Sequence, residues 1–109
     1  MGRGGHLGEF EQRVLLTLLR LGNDAYTVPI VEELERRTGR EVAAAAVYIA
    51  LRRLEERRLV RSELRDPGAE GGRKRRHFVL TEAARERLRE AHRTYQRLAE
   101  GLEPLLEDA

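Results

Sequence analysis

The sequence predicts a mainly α-helical fold with one small β-hairpin: a winged helix-turn-helix carrying a long C-terminal dimerisation helix. Three observations predict it. First, an apolar-striped segment, VAAAAVYIALRRLEERR from Val42, runs directly into a strand-like LVRSELR. A Gly-rich charged turn, DPGAEGGRKRR, and a second strand, HFVLT, follow and end at Thr81. Helix, strand, basic loop, strand is a layout that offers a helix to a DNA major groove and a cationic hairpin to the flanking backbone. Second, Ala84, Leu88, Ala91, Tyr95, Leu98, Leu102 and Leu105 are spaced 4, 3, 4, 3, 4 and 3, the period of a coiled-coil seam. Third, the charge is unevenly spread. Residues 51–77 hold 10 basic and 5 acidic side chains, against 6 and 7 in residues 1–50 and 5 and 7 in residues 78–109. A basic middle between near-neutral flanks is the footprint of a nucleic-acid surface.

In chain order, residues 1–6 read as a flexible Gly-rich arm, residues 7–80 as the winged DNA-binding domain, and residues 81–109 as the dimerisation helix. Between Leu7 and Leu21, Phe10, Val14, Leu15, Leu18 and Leu19 fall at helical spacing and give a wide apolar face. Gly22-Asn23-Asp24 ends that helix. Thr27 is the expected N-cap of the second helix, with Pro29 in its first turn. Ile30, Val31 and Leu34 supply its inner face, and Gly39 stops it after Thr38. The third helix starts near Ala43. Val47, Ala50, Leu51 and Leu54 repeat at i, i+3, i+4, i+7 and must face the core. Ala44, Ala45, Tyr48, Ile49 and Arg52 then point outward. Leu59-Val60 opens the first strand, Gly71-Gly72 is the hairpin turn, and Phe78 and Leu80 share one face of the second strand.

Thr81 is the expected N-cap of the last helix, and Glu82 suits its dipole. Pro104 is expected to end or kink it near Glu103. A helix of about 22 residues extends roughly 33 Å, longer than a three-helix core can cover. The seam therefore calls for a second copy, the alternative being packing within one chain. Leu88, Ala91, Tyr95, Leu98 and Leu102, helped by Phe10 and Val14 of the first helix, are the expected dimer contacts.

A chain of 109 residues suits one domain with one appended element. The 40% apolar content supports a small core, while 37% charged residues require much solvated surface or a charged partner. The absence of cysteine excludes disulfides and thiolate metal sites and points to the reducing cytoplasm. No apolar run approaches the roughly 18 residues that span a bilayer, and MGRGGHLGEF lacks a signal-peptide core. His6, His77 and His92 share no metal-ligand spacing. No Ser-His-Asp, Cys-His or phosphate-loop pattern occurs. The reading is therefore not an enzyme, with no cofactor and no metal.

The candidate DNA contacts are Ala44, Ala45, Tyr48, Ile49, Arg52 and Arg53 of the third helix and Arg73, Lys74, Arg75 and Arg76 of the wing. Alanine methyls pack against thymine methyls but form no bidentate base contacts. Tyr48 can donate a hydrogen bond to a base edge or phosphate; its structural alternative is to fill a gap between helices. Arg52 and Arg53 lie where they reach the backbone. Four consecutive wing cations repel one another unless a polyanion is bound, although Arg75 or Arg76 can also serve the strand. Arg57, Arg58 and Arg61 are expected to pair with Glu55, Glu56 and Glu63. The alternative to a DNA-binding regulator is a winged-helix protein-interaction module with weak or lost DNA binding. The Ala-rich third helix favours that alternative, and the basic wing opposes it.

Four of these segments carry a resemblance. LGEFEQRVLLTLL, AYTVPIVEELERRTGREV, AVYIALRRLEERRLV and GGRKRRHFVLT are similar, collinearly and over nearly all of residues 7–82, to the PadR family of bacterial transcriptional regulators. AVY followed by L-x-R-L-E, and GGR-x-RR before an aromatic and LT, are specific in combination. The resemblance implies a winged-helix domain on double-stranded DNA, a homodimer built by the C-terminal helix, and repression from an inverted-repeat operator. It also implies, for some members, a small aromatic effector at the dimer interface; with no Trp in this chain, a stacking cage is poorly furnished. The short C-terminal part looks like the single-helix branch. Three departures stand out. Ala43 and Ala45 replace a frequent Ser and Gly, Thr27 replaces a frequent Gly, and Arg58 replaces the usual Gly before the Leu-Val strand. Arg58 is strained if that position needs positive φ.

Overall fold

The computed structural model describes residues 6–69 and 71–107. The arm expected over residues 1–6 lies outside them, His6 excepted. Helix α1 spans Glu9–Leu21, and a single 3-10 turn over Gly22–Asp24 leads to α2, Thr27–Thr38. Helix α3 spans Ala44–Glu56, strands β1 and β2 span Val60–Arg65 and Arg75–Leu80, and α4 and α5 span Glu82–Ala99 and Glu103–Glu107.

Helix α1 opens after the buried Leu7, and the Glu11 carboxylate reaches back to accept the Gly8 N–H at 3.0 Å. Val14, Leu15 and Leu18 are buried, as is Thr17, whose hydroxyl donates to the Arg13 carbonyl at 2.8 Å. Leu16 and Leu19 point away from the core and are 54% and 39% exposed. The inward placement expected of Leu19 is therefore corrected.

Helix α2 is capped by Tyr26, not by Thr27. The Tyr26 backbone is extended, its carbonyl accepts the first helical N–H, from Ile30 at 3.2 Å, and Thr27 is already helical. Ile30 and Leu34 pack inward, and Gly39 closes the helix at φ 71°. Glu33 is buried on this helix yet well paired: Arg37 Nε donates to it at 2.8 Å, Arg36 also donates, and Arg20 Nε lies 3.8 Å away. The Arg37 hydrogen bond, more than any other contact, holds its carboxyl below the usual value.

Helix α3 begins at Ala43, an N-cap with no side-chain bond. Val47, Ala50, Leu51 and Leu54 are all buried, as their spacing required. Each fully buried Leu or Val here stabilises the fold by about 1.5–3 kcal/mol. At the helix end, Arg58 N–H bonds the Glu55 carbonyl at 3.0 Å and Leu59 N–H bonds the Leu54 carbonyl at 2.9 Å. These are the two bonds of a Schellman closure, with buried Leu54 and Leu59 meeting across it. Its left-handed position is Arg58, at φ 63°. The strain foreseen for an arginine in place of glycine is present, at a cost on the order of 1 kcal/mol.

The strands pair antiparallel from Val60–Leu80 to Arg65–Arg75. Strand β2 starts two residues earlier than the sequence suggests, so Arg75 and Arg76 belong to the ladder and not to the loop. The connection is correspondingly long, residues 66–74, and is not a tight Gly71-Gly72 turn. Gly68, Gly71 and Gly72 all adopt positive φ in it. Buried Phe78 donates its N–H to the Ala25 carbonyl at 2.8 Å, fastening the hairpin to the turn before α2.

The Thr81 hydroxyl accepts the Ala84 N–H at 3.2 Å, so the expected cap of α4 is present. Ala84 and Leu88 join the core, and beyond Ala91 the helix is mostly exposed. It ends at Ala99, sooner than expected. Glu100 turns extended and Gly101 takes φ 84°. Pro104 sits in the first turn of α5, where a proline is tolerated. It therefore opens a short helix and does not end the long one.

Candidate nucleic-acid interface

Two surfaces carry the residues that sequence patterning assigns to DNA. On α3, the buried inner face leaves Ala44, Ala45, Tyr48, Ile49, Arg52 and Arg53 exposed. Arg52 Nη1 donates to the Tyr48 hydroxyl oxygen at 3.1 Å, with its guanidinium 5.9 Å from the ring centroid. This bond helps to hold Arg52 above its ordinary, already high value. With a lone pair occupied by Arg52, the Tyr48 O–H is left to donate outward. Ala44 to Ala46 put only methyl groups ahead of it. Tyr48 does not fill a gap between helices.

The wing divides its four cations. Arg73 is exposed and has no hydrogen bond or ion pair among the described residues, and Lys74 lies 3.9 Å from the Asp66 carboxylate. Arg75 lies over the Tyr26 ring, 4.6 Å from its centroid, and donates to the Tyr26 hydroxyl at 3.1 Å. His77 meets the same ring at 5.1 Å. Arg76 Nη1 donates to Ser62 Oγ at 3.0 Å, and Ser62 donates to Glu55 at 2.7 Å. Arg75 and Arg76 thus serve the strand as well as facing solvent. The Tyr26–Arg75 contact joins residues 49 apart in sequence, and nothing in the local pattern marks it.

Arg57 does not pair with Glu55 or Glu56 as expected. Its guanidinium donates to Glu11 at 3.1 Å and to the His6 carbonyl at 3.0 Å, tying the end of α3 to the start of α1. Glu63 pairs with Arg65 at 2.6 Å, not with Arg61.

The residues assigned to a dimer seam also divide. Val14 and Leu88 are buried in the core of their own chain, and Phe10 packs half-buried against it. Ala91 is half-buried, while Tyr95, Leu98 and Leu102 are exposed, the first two by 66% and 74%. Leu16 and Leu19, which the sequence pattern did not assign to the seam, are the exposed apolar residues of α1.

Among the described residues no group of His, Cys, Asp or Glu could hold a metal ion. No helix there is long and apolar enough to cross a membrane.

A family model described as the transcriptional regulator PadR-like family matches residues 15–90. No curated protein matches the sequence significantly. Among solved structures, a PadR-like transcriptional regulator from Bacillus cereus is similar at a TM-score of 0.73 and 19% identity, over 92% of this chain and 93% of that one. A PadR family regulator from Eggerthella lenta is 29% identical at a TM-score of 0.62, over 90% and 87% of the two chains. F93 from STIV, a winged-helix DNA-binding protein, shares the fold at a TM-score of 0.69 and 16% identity, over 88% and 97%.

Proposed function

The chain belongs to the transcriptional regulator PadR-like family, and from that premise we propose that it is a dimeric repressor acting on an inverted-repeat operator in the cytoplasm. Residues 7–80 bind DNA and residues 81–109 pair two copies. The observation that carries this reading is α3, whose inner face is buried throughout while Ala44, Ala45, Tyr48, Ile49 and Arg52 stand bare. Alanine methyls meet thymine methyls in the major groove, and the Tyr48 O–H donates to a base edge or phosphate. Arg73 and Lys74 supply sequence-independent attraction to phosphates. A second copy doubles the sequence read, which a reading surface with so few hydrogen-bonding groups requires. The pair forms along Ala91, Tyr95, Leu98 and Leu102, with Leu16 and Leu19 as the contribution from α1. Relief by a small aromatic effector between the subunits completes the reading, with Tyr95 as an aromatic side chain free to meet it.

The test is selection of bound genomic fragments followed by sequencing, with a salt series on selected and random duplexes. The expected result is an enriched inverted repeat bound more tightly than random DNA, both falling steeply with salt. Failure to bind any duplex at low salt would overturn the reading in favour of a protein-interaction module.

A further inference from the structure

Strand β1 leaves one sheet edge open. Phe78 sends its N–H out of the ladder to the Ala25 carbonyl at 2.8 Å, so β2 is covered on its far side. Phe78 lies opposite Ser62, and a residue whose N–H points out of an antiparallel ladder belongs to a pair that exchanges no bonds. By alternation, Val60, Ser62 and Leu64 turn their own N–H and C=O toward the outer edge of β1. Val60 is 1% exposed and closed to a partner, whereas Ser62 is half-buried and Leu64 is 56% exposed. Among the described residues, no hydrogen bond from outside the ladder reaches the Ser62 or Leu64 backbone. Leu64 is also the one large apolar side chain that the described hairpin exposes.

Free N–H and C=O groups along an edge are a template for another strand. Like charges along the edge prevent such pairing, but here the signs alternate over Arg61, Glu63 and Arg65. Against an antiparallel second copy of β1, one register suits them. With Leu64 opposite Leu64, each Glu63 faces Arg65 of the other copy, Ser62 faces Asp66, and Arg61 faces Pro67. Centring on Glu63 instead sets Glu63 on Glu63 and Arg61 on Arg65. Centring on Arg65 sets arginine on arginine, and centring on Ser62 calls on the covered Val60. The ion pairs already present are compatible with the Leu64 register. Arg65 Nε donates to Glu63 of its own chain at 2.6 Å, so two copies form a ring of four alternating charges. Asp66 arrives beside Ser62, where Glu55 and Arg76 already offset one another, and it keeps Lys74 at 3.9 Å.

We infer that the β1 edges of two molecules pair, antiparallel about Leu64, into a four-stranded sheet. The occupant is a second copy because the edge is complementary to itself, in charge and in its apolar centre. This contact is separate from the α4 seam. A molecule that also pairs along α4 has two different two-fold contacts, and alternating them builds a row of molecules. That use rests on the reading above: dimers on adjacent DNA sites hold one another and fill those sites cooperatively.

The chain has no cysteine, so a single introduced thiol reports a single contact. Facing residues of a bonded antiparallel pair lie about 5.5 Å apart at Cα, within reach of a disulfide. The two copies of Arg61 lie roughly 20 Å apart in this register. Under mild oxidation, Leu64→Cys is expected to cross-link to itself about tenfold faster than Arg61→Cys. Adding Glu63→Arg to Leu64→Cys should slow the reaction roughly tenfold, by setting like charges across both pairs. Adding Arg65→Glu as well should restore it. Equal rates at the two positions, or a rate at Leu64 indifferent to the charge changes, would overturn the pairing. A random duplex long enough for several dimers separates this contact from the regulator reading. Molecules that bind it but never cross-link at Leu64 overturn the edge contact and leave the regulator standing. Molecules that cross-link at Leu64 but bind no duplex overturn the regulator and leave the edge contact.

Discussion

Helix α3 and the wing both present residues outward, but they are held in opposite ways. The outer face of α3 stands on four buried residues, so the core fixes the position of Tyr48 and the methyls beside it. The wing tip stands on a long connection with three positive-φ glycines, and none of its described residues is buried. The helix carries methyls and a phenol; the wing carries cations. Base edges reward a group placed to within a hydrogen bond's tolerance, whereas a phosphate rewards charge in its neighbourhood. Each chemistry sits on a scaffold whose stiffness suits it.

The comparison can be broken at its stiffest point first. Leu51→Ala, beneath the reading face, should cost about 2–5 kcal/mol in urea unfolding, while Arg73→Ala should leave the unfolding midpoint unchanged. Equal midpoints would mean that the core does not set the α3 surface.

On the wing, Arg73→Ala with Lys74→Ala should lower the slope of log K against log salt by about 0.9 for each lost phosphate contact. Specific and random DNA should weaken alike. An unchanged slope would place both cations off the backbone. A smaller and sequence-dependent effect belongs to α3. Replacing half-site thymines with uracil, or Tyr48 with Phe, should each cost about 1 kcal/mol, the low end for a mismatched base. If neither moves the affinity, specificity comes from DNA shape or from a partner. Smallest of all, Arg75→Ala should cost about 0.5–1 kcal/mol of stability through its contact with Tyr26. It should also disturb the salt slope less than Arg73→Ala, and the reverse order would show that Arg75 leaves Tyr26 for DNA.

What the sequence made legible was whatever one helix or one cap decides alone. Val47, Ala50, Leu51 and Leu54 admit a single inward face, and Thr81 precedes a helix with no competing cap. On α1 the pattern is ambiguous, because Val14, Leu15, Leu16, Leu18 and Leu19 cover more than half the helix circumference. Only packing against α2 and α3 shows that Leu19 faces out with Leu16. Gly101 outweighed Pro104 as a break because proline is permitted in a first turn and positive φ is not permitted in a helix. The division of the wing cations was legible only in part: a strand role for Arg75 or Arg76 could be read from the sequence, but not its partner, since Tyr26 meets Arg75 only once the hairpin has folded against α2.

One joint sets a dimension of the whole molecule. Thr81 caps α4 while its hydroxyl donates to the Arg58 carbonyl at 2.9 Å and its N–H bonds the Leu59 carbonyl at 3.1 Å. The last turn of α3 and the first turn of α4 are thereby locked at one point, through the strained arginine. In a symmetric pair joined along α4, that angle acts as a caliper setting. On the proposed reading, it would fix the separation of the two α3 helices, and with it the number of base pairs between half-sites. On that reading, a change of one residue at Arg58 or Thr81 would be read out as a change in operator spacing.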